Sequence, residues 1–223
     1  MFTLLQNSDF AAHAHLLDAA FRLRKKVFAD QLGWDVPVTG DREFDRYDDD
    51  AAQYLVWCSA DRQRLYGLVR LIPTSAPTLL FDVFGATHGN DPALVSDTTF
   101  EGTRMCLDDD RIAEDFPNLG AGAGFGLLLL ALCEAGLALG IDRLVSNFEP
   151  AMARIYKRAG LGYHLHGKAD GYGARPVCCA SFDVTRSVLS DMRAKLGIDL
   201  PVFKSMPGFT PLPQAPRTIE AAL

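Results

Sequence analysis

"QYLVWCSADRQRLYGLVRLIPT", residues 53–74, holds two strand patterns, 53–59 and 65–71, joined by the polar turn Asp61-Arg62-Gln63-Arg64. Two such runs across so short a link read as an antiparallel hairpin, ended by Pro73 and Pro77. On the N-terminal side, residues 11–33 repeat Leu16, Leu17, Ala20, Leu23, Val27 and Phe28 at helical steps, with Gly33 as the stop. Residues 35–50 carry Pro37, Gly40 and many aspartates and read as a loop. On the C-terminal side, 79–84 is short and ambiguous, and 98–107 alternates as a strand. A long apolar helix over 122–140 follows the glycine-rich lead-in NLGAGAGFG. A strand (143–148), a helix (151–159) closed by Gly160, a strand (177–184) and a helix (187–196) complete the pattern.

Hairpin strands followed by helical crossovers predict an α+β or mixed α/β fold. The expected architecture is a single central mixed, largely antiparallel sheet flanked by helices. With 223 residues, 48% of them hydrophobic, the chain is long enough for one large domain with a sizeable core. That domain is expected over 1–200, and residues 201–223, with Pro201, Pro207, Pro211, Pro213 and Pro216, are expected to be an irregular tail.

A net charge of −6 argues against a general nucleic-acid surface but leaves room for a local basic pocket. The start, MFTLLQNSDFAAHAH, lacks the basic and apolar regions of a signal peptide. The most apolar run, 125–139, is interrupted by Glu134 and Gly136 and is too short for a membrane span. Cys58, Cys106, Cys133, Cys178 and Cys179 lack zinc spacing and read as reduced thiols of a cytoplasmic protein. His164 and His166 share a strand face without a third ligand, so no metal is predicted.

Residues 21–50, FRLRKKVFADQLGWDVPVTGDREFDRYDDD, set a basic helix before an acidic loop. Such a run is either a solvated charged face or a pocket for a small ligand carrying both charges. Here the spacing Leu23-Arg24-x3-Phe28-x2-Gln31-x2-Trp34 and then Glu43-x-Asp45-x-Tyr47-Asp48 resembles the signature of the acyl-homoserine lactone synthases, the LuxI type of autoinducer synthase. Gly67-Leu68-Val69-Arg70-Leu71-Ile72-Pro73-Thr74, Phe84, Glu101-Gly102-Thr103-Arg104 and the run from Ala153 to Gly160 extend the resemblance in one register over about residues 20–185.

The resemblance implies a fold similar to the Gcn5-related N-acetyltransferases, with splayed central strands that admit a thioester arm. It also implies synthesis of an N-acyl-L-homoserine lactone from S-adenosylmethionine and an acyl thioester on acyl carrier protein or coenzyme A, with release of 5'-methylthioadenosine and no further cofactor. A generic N-acyltransferase acting on another amine and a non-catalytic ligand-sensing domain are the alternatives.

S-adenosylmethionine needs anions, a cation and aromatic surface together. Asp45 and Asp48 can meet its ammonium or sulfonium, and Arg24 or Arg104 its carboxylate. Phe28 and Trp34 can stack on the adenine or sulfonium, while Arg70 braces the aspartates. The resemblance makes Glu101 the candidate base, with Asp48 the alternative and Arg104 beside them. Glu101 and Arg104 lie three apart on a strand, so a bulge is needed for both to line one pocket. Phe84, Thr103, Leu127, Val145, Ser146, Phe148, Met152 and Tyr156 are candidates for the acyl pocket. Arg154, Lys157, Arg158 and Lys168 offer a basic surface to an acidic carrier protein.

Overall fold

The computed structural model of the protein describes residues 1–120 and 122–213. Ala121 in the glycine-rich lead-in and residues 214–223 of the tail, Pro216 among them, lie outside the described residues.

Strand β1 (Phe2–Leu5) opens the chain; its four buried residues are too few to show a period in the sequence. Helix α1 (Ala14–Arg24) buries Leu16, Ala20 and Leu23 on one stripe and, at its end, Arg24. The backbone then widens into a π-helical stretch, Lys25–Gln31, in which the Leu32 N–H reaches the Val27 carbonyl at 3.0 Å. π-helical turns are uncommon and cluster at functional sites, because the extra residue per turn re-aims the side chains. This one buries Phe28 and ends at Gly33, whose φ of +64° suits glycine. Within the expected loop, β2 (Val38–Thr39) and β3 (Arg42–Glu43) form a small separate hairpin that sets Glu43 inward.

The hairpin that decides the fold is present as β4 (Gln53–Cys58) and β5 (Leu65–Pro73), paired antiparallel with Tyr54 opposite Arg70 and Val56 opposite Leu68. The ambiguous segment is one helical turn, α2 (Leu79–Asp82). β6 (Thr99–Leu107) leads into α3 (Asp109–Asp115), capped by the Asp108 carboxylate accepting from the Arg111 N–H. Then follow α4 (Ala123–Leu139), β7 (Arg143–Phe148), α5 (Ala153–Arg158), β8 (His164–Ala169), β9 (Val177–Asp183) and α6 (Arg186–Leu196).

Among the described residues the main sheet has seven strands in the order β1-β4-β5-β6-β7-β9-β8. Every neighbouring pair is antiparallel except β6 with β7. That pair is joined through α4, and a parallel pair needs such a crossover. The sheet is thus mixed and largely antiparallel, as the sequence predicts. Leu55, Trp57, Val69, Leu71 and Phe100 face α4, while Tyr54, Val56, Leu68 and Ile72 face α1.

Two irregularities sit at the middle of this sheet. β6 and β7 pair only over Thr99–Glu101 against Arg143–Val145 and then separate. Along the other side of β6, Leu68 faces Cys106 but Arg70 faces Thr103, so β6 carries one extra residue opposite Val69. That is a β-bulge.

Helix α4 is buried nearly all round because the sheet covers one side and α6 with residues 201–213 the other. Its Glu134 carboxylate accepts from Arg193 Nη2 (2.9 Å) and from the backbone N–H groups of Val202 (2.9 Å) and Phe203 (2.8 Å). The Lys204 N–H then donates to the Phe2 carbonyl at 2.8 Å, tying this segment to the edge strand β1. Replacing Glu134 with Ala strands those two backbone donors, so Glu134→Ala is expected to lower stability by about 2–4 kcal/mol in chemical denaturation. Faster proteolysis near Phe203 should accompany the loss.

Candidate active site

Five elements bring their charges to the α1 face of the sheet. From the end of α1, Arg24 donates through Nε to Glu43 (2.5 Å) and through both terminal nitrogens to Asp48 (2.7 and 2.9 Å). From β5, Arg70 forks onto Asp45 (2.6 and 3.2 Å), reaches Asp48 (2.8 Å) and donates through Nε to Thr103 (3.1 Å). From β6, Arg104 donates to both Glu43 oxygens (3.1 and 3.3 Å) and to Asp45 (3.0 Å). The Tyr54 hydroxyl from β4 completes the set on Asp48 at 2.7 Å.

The side chains of Arg24, Glu43 and Arg70 are 0% exposed and that of Arg104 is 10% exposed. Charges so deep are tolerated only when paired and hydrogen-bonded, and here Arg24, Arg70 and Arg104 balance Glu43, Asp45 and Asp48. Burial alone would raise the Asp48 carboxyl, but the hydrogen bonds and charge of Arg24, with the charge of Arg70, hold it well below the usual range. Burial likewise opposes the charge on Arg24, and Asp48 and Glu43 reverse it, so that Arg24 stays a cation.

The bulge decides what Arg104 can reach. Thr103 faces the α1 side opposite Arg70, and in a regular strand Arg104 would point to α4. Instead Arg104 adopts φ +54°, the left-handed region, and its side chain turns back to join Glu43 and Asp45. A non-glycine residue there costs on the order of 1 kcal/mol, which the ion cluster over-determines. The extra residue thus puts Glu101, Thr103 and Arg104 on one face, the condition the sequence spacing sets.

Glu101 itself is 0% exposed, and neither carboxyl oxygen has a hydrogen-bond partner among the described residues. Burial pushes its carboxyl up to about 8, against the opposing pull of Arg70, the nearby Leu80 and Leu79 amides and Arg104. It lies beside Val145, at the last rung where β6 and β7 still pair.

The two aromatic candidates pack against each other. Phe28 and Trp34 stack at 5.1 Å and 26° between planes, and the Arg104 guanidinium lies 5.6 Å from the Phe28 ring centre. Phe28 is buried and Trp34 is 43% exposed, so the pair forms a wall with an open outer edge. Of the neighbouring charges, Asp49 and Asp50 are exposed, Lys25 pairs with Asp30, and Lys26 pairs with Asp108 and Asp110.

The acyl-pocket candidates divide over both faces. Leu127, Phe148, Met152 and Tyr156 belong to the core beneath α4, whereas Val145 packs with Leu80 on the α2 side. Phe84 contacts Tyr172 at 4.9 Å, and Thr103 lies with the ion cluster. Ser146 spans the gap itself, donating to the Gly102 carbonyl at 2.9 Å. Arg154 and Lys157 line an open groove with Gly160 and Tyr163, and Arg158 and Lys168 are exposed nearby in sequence. His164 and His166 stand 5.0 Å apart, and no metal-binding cluster occurs among the described residues.

Glu43, quoted in the signature without a role, and Tyr54 are the members of this site to which sequence reasoning assigns none. For Glu43, its spacing of two from Asp45 on a short extended segment was the available signal, since it puts both carboxylates on one side.

Known proteins resemble this chain in sequence and in fold. The family model described as Autoinducer synthase matches residues 7–191. An acyl-homoserine-lactone synthase of Ralstonia solanacearum is 32% identical over 197 residues, 86% of this chain and 91% of the relative. The CoA-dependent acyl-homoserine lactone synthase BjaI, solved with SAM and isopentyl-CoA, superposes with a TM-score of 0.80 at 22% identity, covering 92% of this chain and 93% of that one. A putative N-acetyltransferase from Lactobacillus plantarum shares the fold at a TM-score of 0.51 and 20% identity, over 82% of this chain and 99% of its own. The family match takes in the ion cluster, the bulge and the split between β6 and β7 together, and this chain belongs to the autoinducer synthase family.

Proposed function

We propose that the protein is an acyl-homoserine-lactone synthase that joins an acyl thioester to the amine of S-adenosylmethionine and lactonises the product, making a quorum-sensing signal. The observation that carries the chemistry is Glu101, a fully buried carboxyl without a partner, at the edge of the split and beside a charge-balanced guanidinium cluster. Acylation requires a neutral amine. Glu101 takes the ammonium proton, the amine lone pair attacks the thioester carbonyl, and the thiol leaves with a proton. Asp48 is the weaker choice of base, because Arg24 and Arg70 hold it ionised at any working pH.

Lactonisation follows by proximity. A carboxylate oxygen of the acylated methionyl chain attacks its own γ-carbon, and the C–S electron pair returns to the sulfonium, which departs as neutral 5'-methylthioadenosine. Arg104, the least buried guanidinium of the cluster, orients that carboxylate. Phe28 and Trp34 cover the sulfonium and adenine. Arg24, Arg70 and Glu43 stand behind as a brace that fixes Asp45 and Asp48.

The acyl donor is a thioester of acyl carrier protein or of coenzyme A, and the basic surface around Arg154 and Lys157 suits either anionic carrier. A cytoplasmic setting fits the five free, buried cysteines. No helix among the described residues is long and apolar enough to cross a membrane.

Mixing the protein with S-adenosylmethionine and acyl thioesters should release 5'-methylthioadenosine, and no release with any thioester contradicts the reading. Glu101→Gln should lower turnover by about a hundredfold or more while nucleoside binding, measured calorimetrically, changes little. Because the base must be ionised, kcat/KM should rise with pH and level off above about 8. The same raised value makes Glu101 a stability term with a sign: it favours folding below the ordinary carboxyl range, and that contribution is lost as pH rises toward about 8. Glu101→Gln should therefore melt higher than the wild type in mildly alkaline buffer and not in acid.

A further inference from the structure

In the middle of a sheet, residues are ordinarily covered on both faces. Yet Gly102, Thr103, Arg104 and Met105 of β6 and Ser146 and Asn147 of β7 are only half-buried, between fully buried neighbours on either side. These positions line the split, which begins where the pairing of Glu101 with Val145 ends. An acyl chain whose carbonyl sits near Glu101 must leave through that split, and the three directions open to it differ.

Toward α1 lies the ion cluster of Arg24, Arg70, Arg104 and their carboxylates, which offers a hydrocarbon nothing. Toward α2 the cluster of Leu80, Leu94, Val145 and Cys179 is closed, each residue at most 1% exposed. Toward α4 stand Met105 and Met152, both partly buried against the core on that side and both unbranched and adaptable. That direction admits the chain.

It also ends soon. Tyr156, 4% exposed, lies beside the Ser146 hydroxyl that bridges to Gly102. Its ring meets Phe148 edge-on at 5.0 Å and Phe182 at 4.8 Å, and Tyr163 closes the group at 5.8 Å from both Phe148 and Phe182. Phe148, Tyr156 and Phe182 are buried and each is wedged by at least two other rings, so none of these three can swing aside without moving its neighbours.

We infer that this enzyme takes short-chain acyl thioesters, with Tyr156 and Phe148 as the specificity-determining end wall of a shallow acyl pocket behind Ser146. The inference rests on the functional reading above and narrows its substrate class. A long tail gains no further burial once it meets the rings, and forcing them apart is an overpacking cost.

The experiment offers butanoyl, hexanoyl, decanoyl and dodecanoyl groups, each on coenzyme A and on acyl carrier protein, with saturating S-adenosylmethionine, and follows methylthioadenosine release. On whichever carrier supports turnover, kcat/KM for butanoyl or hexanoyl should exceed that for decanoyl by about tenfold or more. Tyr156→Ala should raise the decanoyl value and shrink that ratio to about threefold or less, while Tyr156→Phe, which keeps the ring, should retain the wild-type order. Phe148→Leu reads the same end wall if Tyr156→Ala does not fold. Wild-type turnover that favours decanoyl, or folded end-wall variants with an unchanged ratio, overturns the inference and leaves the functional reading standing. No release with any donor overturns both.

Discussion

Charge taken out of water must be met by charge, and that requirement organises the centre of this protein. Glu43, Asp45 and Asp48 come from a hairpin and loop that have little apolar surface of their own, and they are held in place by Arg24, Arg70 and Arg104. The arginines come from a helix and two sheet strands, so the cluster stitches the N-terminal segment onto the sheet. Removing any one cation would leave a buried anion unbalanced. The arrangement is therefore all-or-none, and Arg104 can join it only because β6 is bulged.

The same bulge divides the carboxylates into two kinds. Those in the cluster are spent on guanidiniums, so they present little free negative charge to hold a substrate ammonium in its protonated form. Glu101, on the same face but in none of the ion pairs, is dominated by burial, which outweighs the pull of Arg70, Arg104 and the Leu79 and Leu80 amides, favours its neutral form and brings its titration toward working pH. A carboxylate near an ammonium would ordinarily keep the proton on nitrogen. Balancing the neighbouring aspartates and isolating the glutamate removes much of that conflict. The split beside Glu101 then gives the acyl donor a route to the amine between two strands that have stopped pairing.

Much of this was legible in the sequence, for physical reasons that differ by element. The strands of the hairpin and the stripe of Leu16, Ala20 and Leu23 are periodic, and periodicity survives translation into burial. Phe28 and Trp34 were singled out together by the family signature they match, although the π-helical turn that aims Phe28 has no signature in KKVFADQ. The bulge is equally silent, because the left-handed position is Arg104 and not a glycine, and the cluster rather than local propensity imposes it. β1 is too short to show alternation, and its identity depends on pairing with β4. Glu43 was visible in the signature but carried no role, because a loop acid reads as a turn former until its partners are known. The two-faced distribution of the acyl-pocket candidates follows from tertiary placement of β7, whose alternate residues look to opposite sides.

Glu101 is a buried acid outside the ion pairs, while the neighbouring Glu43, Asp45 and Asp48 are paired with guanidiniums, and the chemistry depends on that difference. Infrared or carbon-13 titration of that single carboxyl, taken as the difference between wild type and Glu101→Gln in the free enzyme, measures it directly. A protonated carboxyl at neutral pH with a midpoint near 8 is expected. A midpoint near the ordinary value of about 4.3 would mean that Glu101 has a charge partner or water access in solution, and would rule out a buried acid poised as the base.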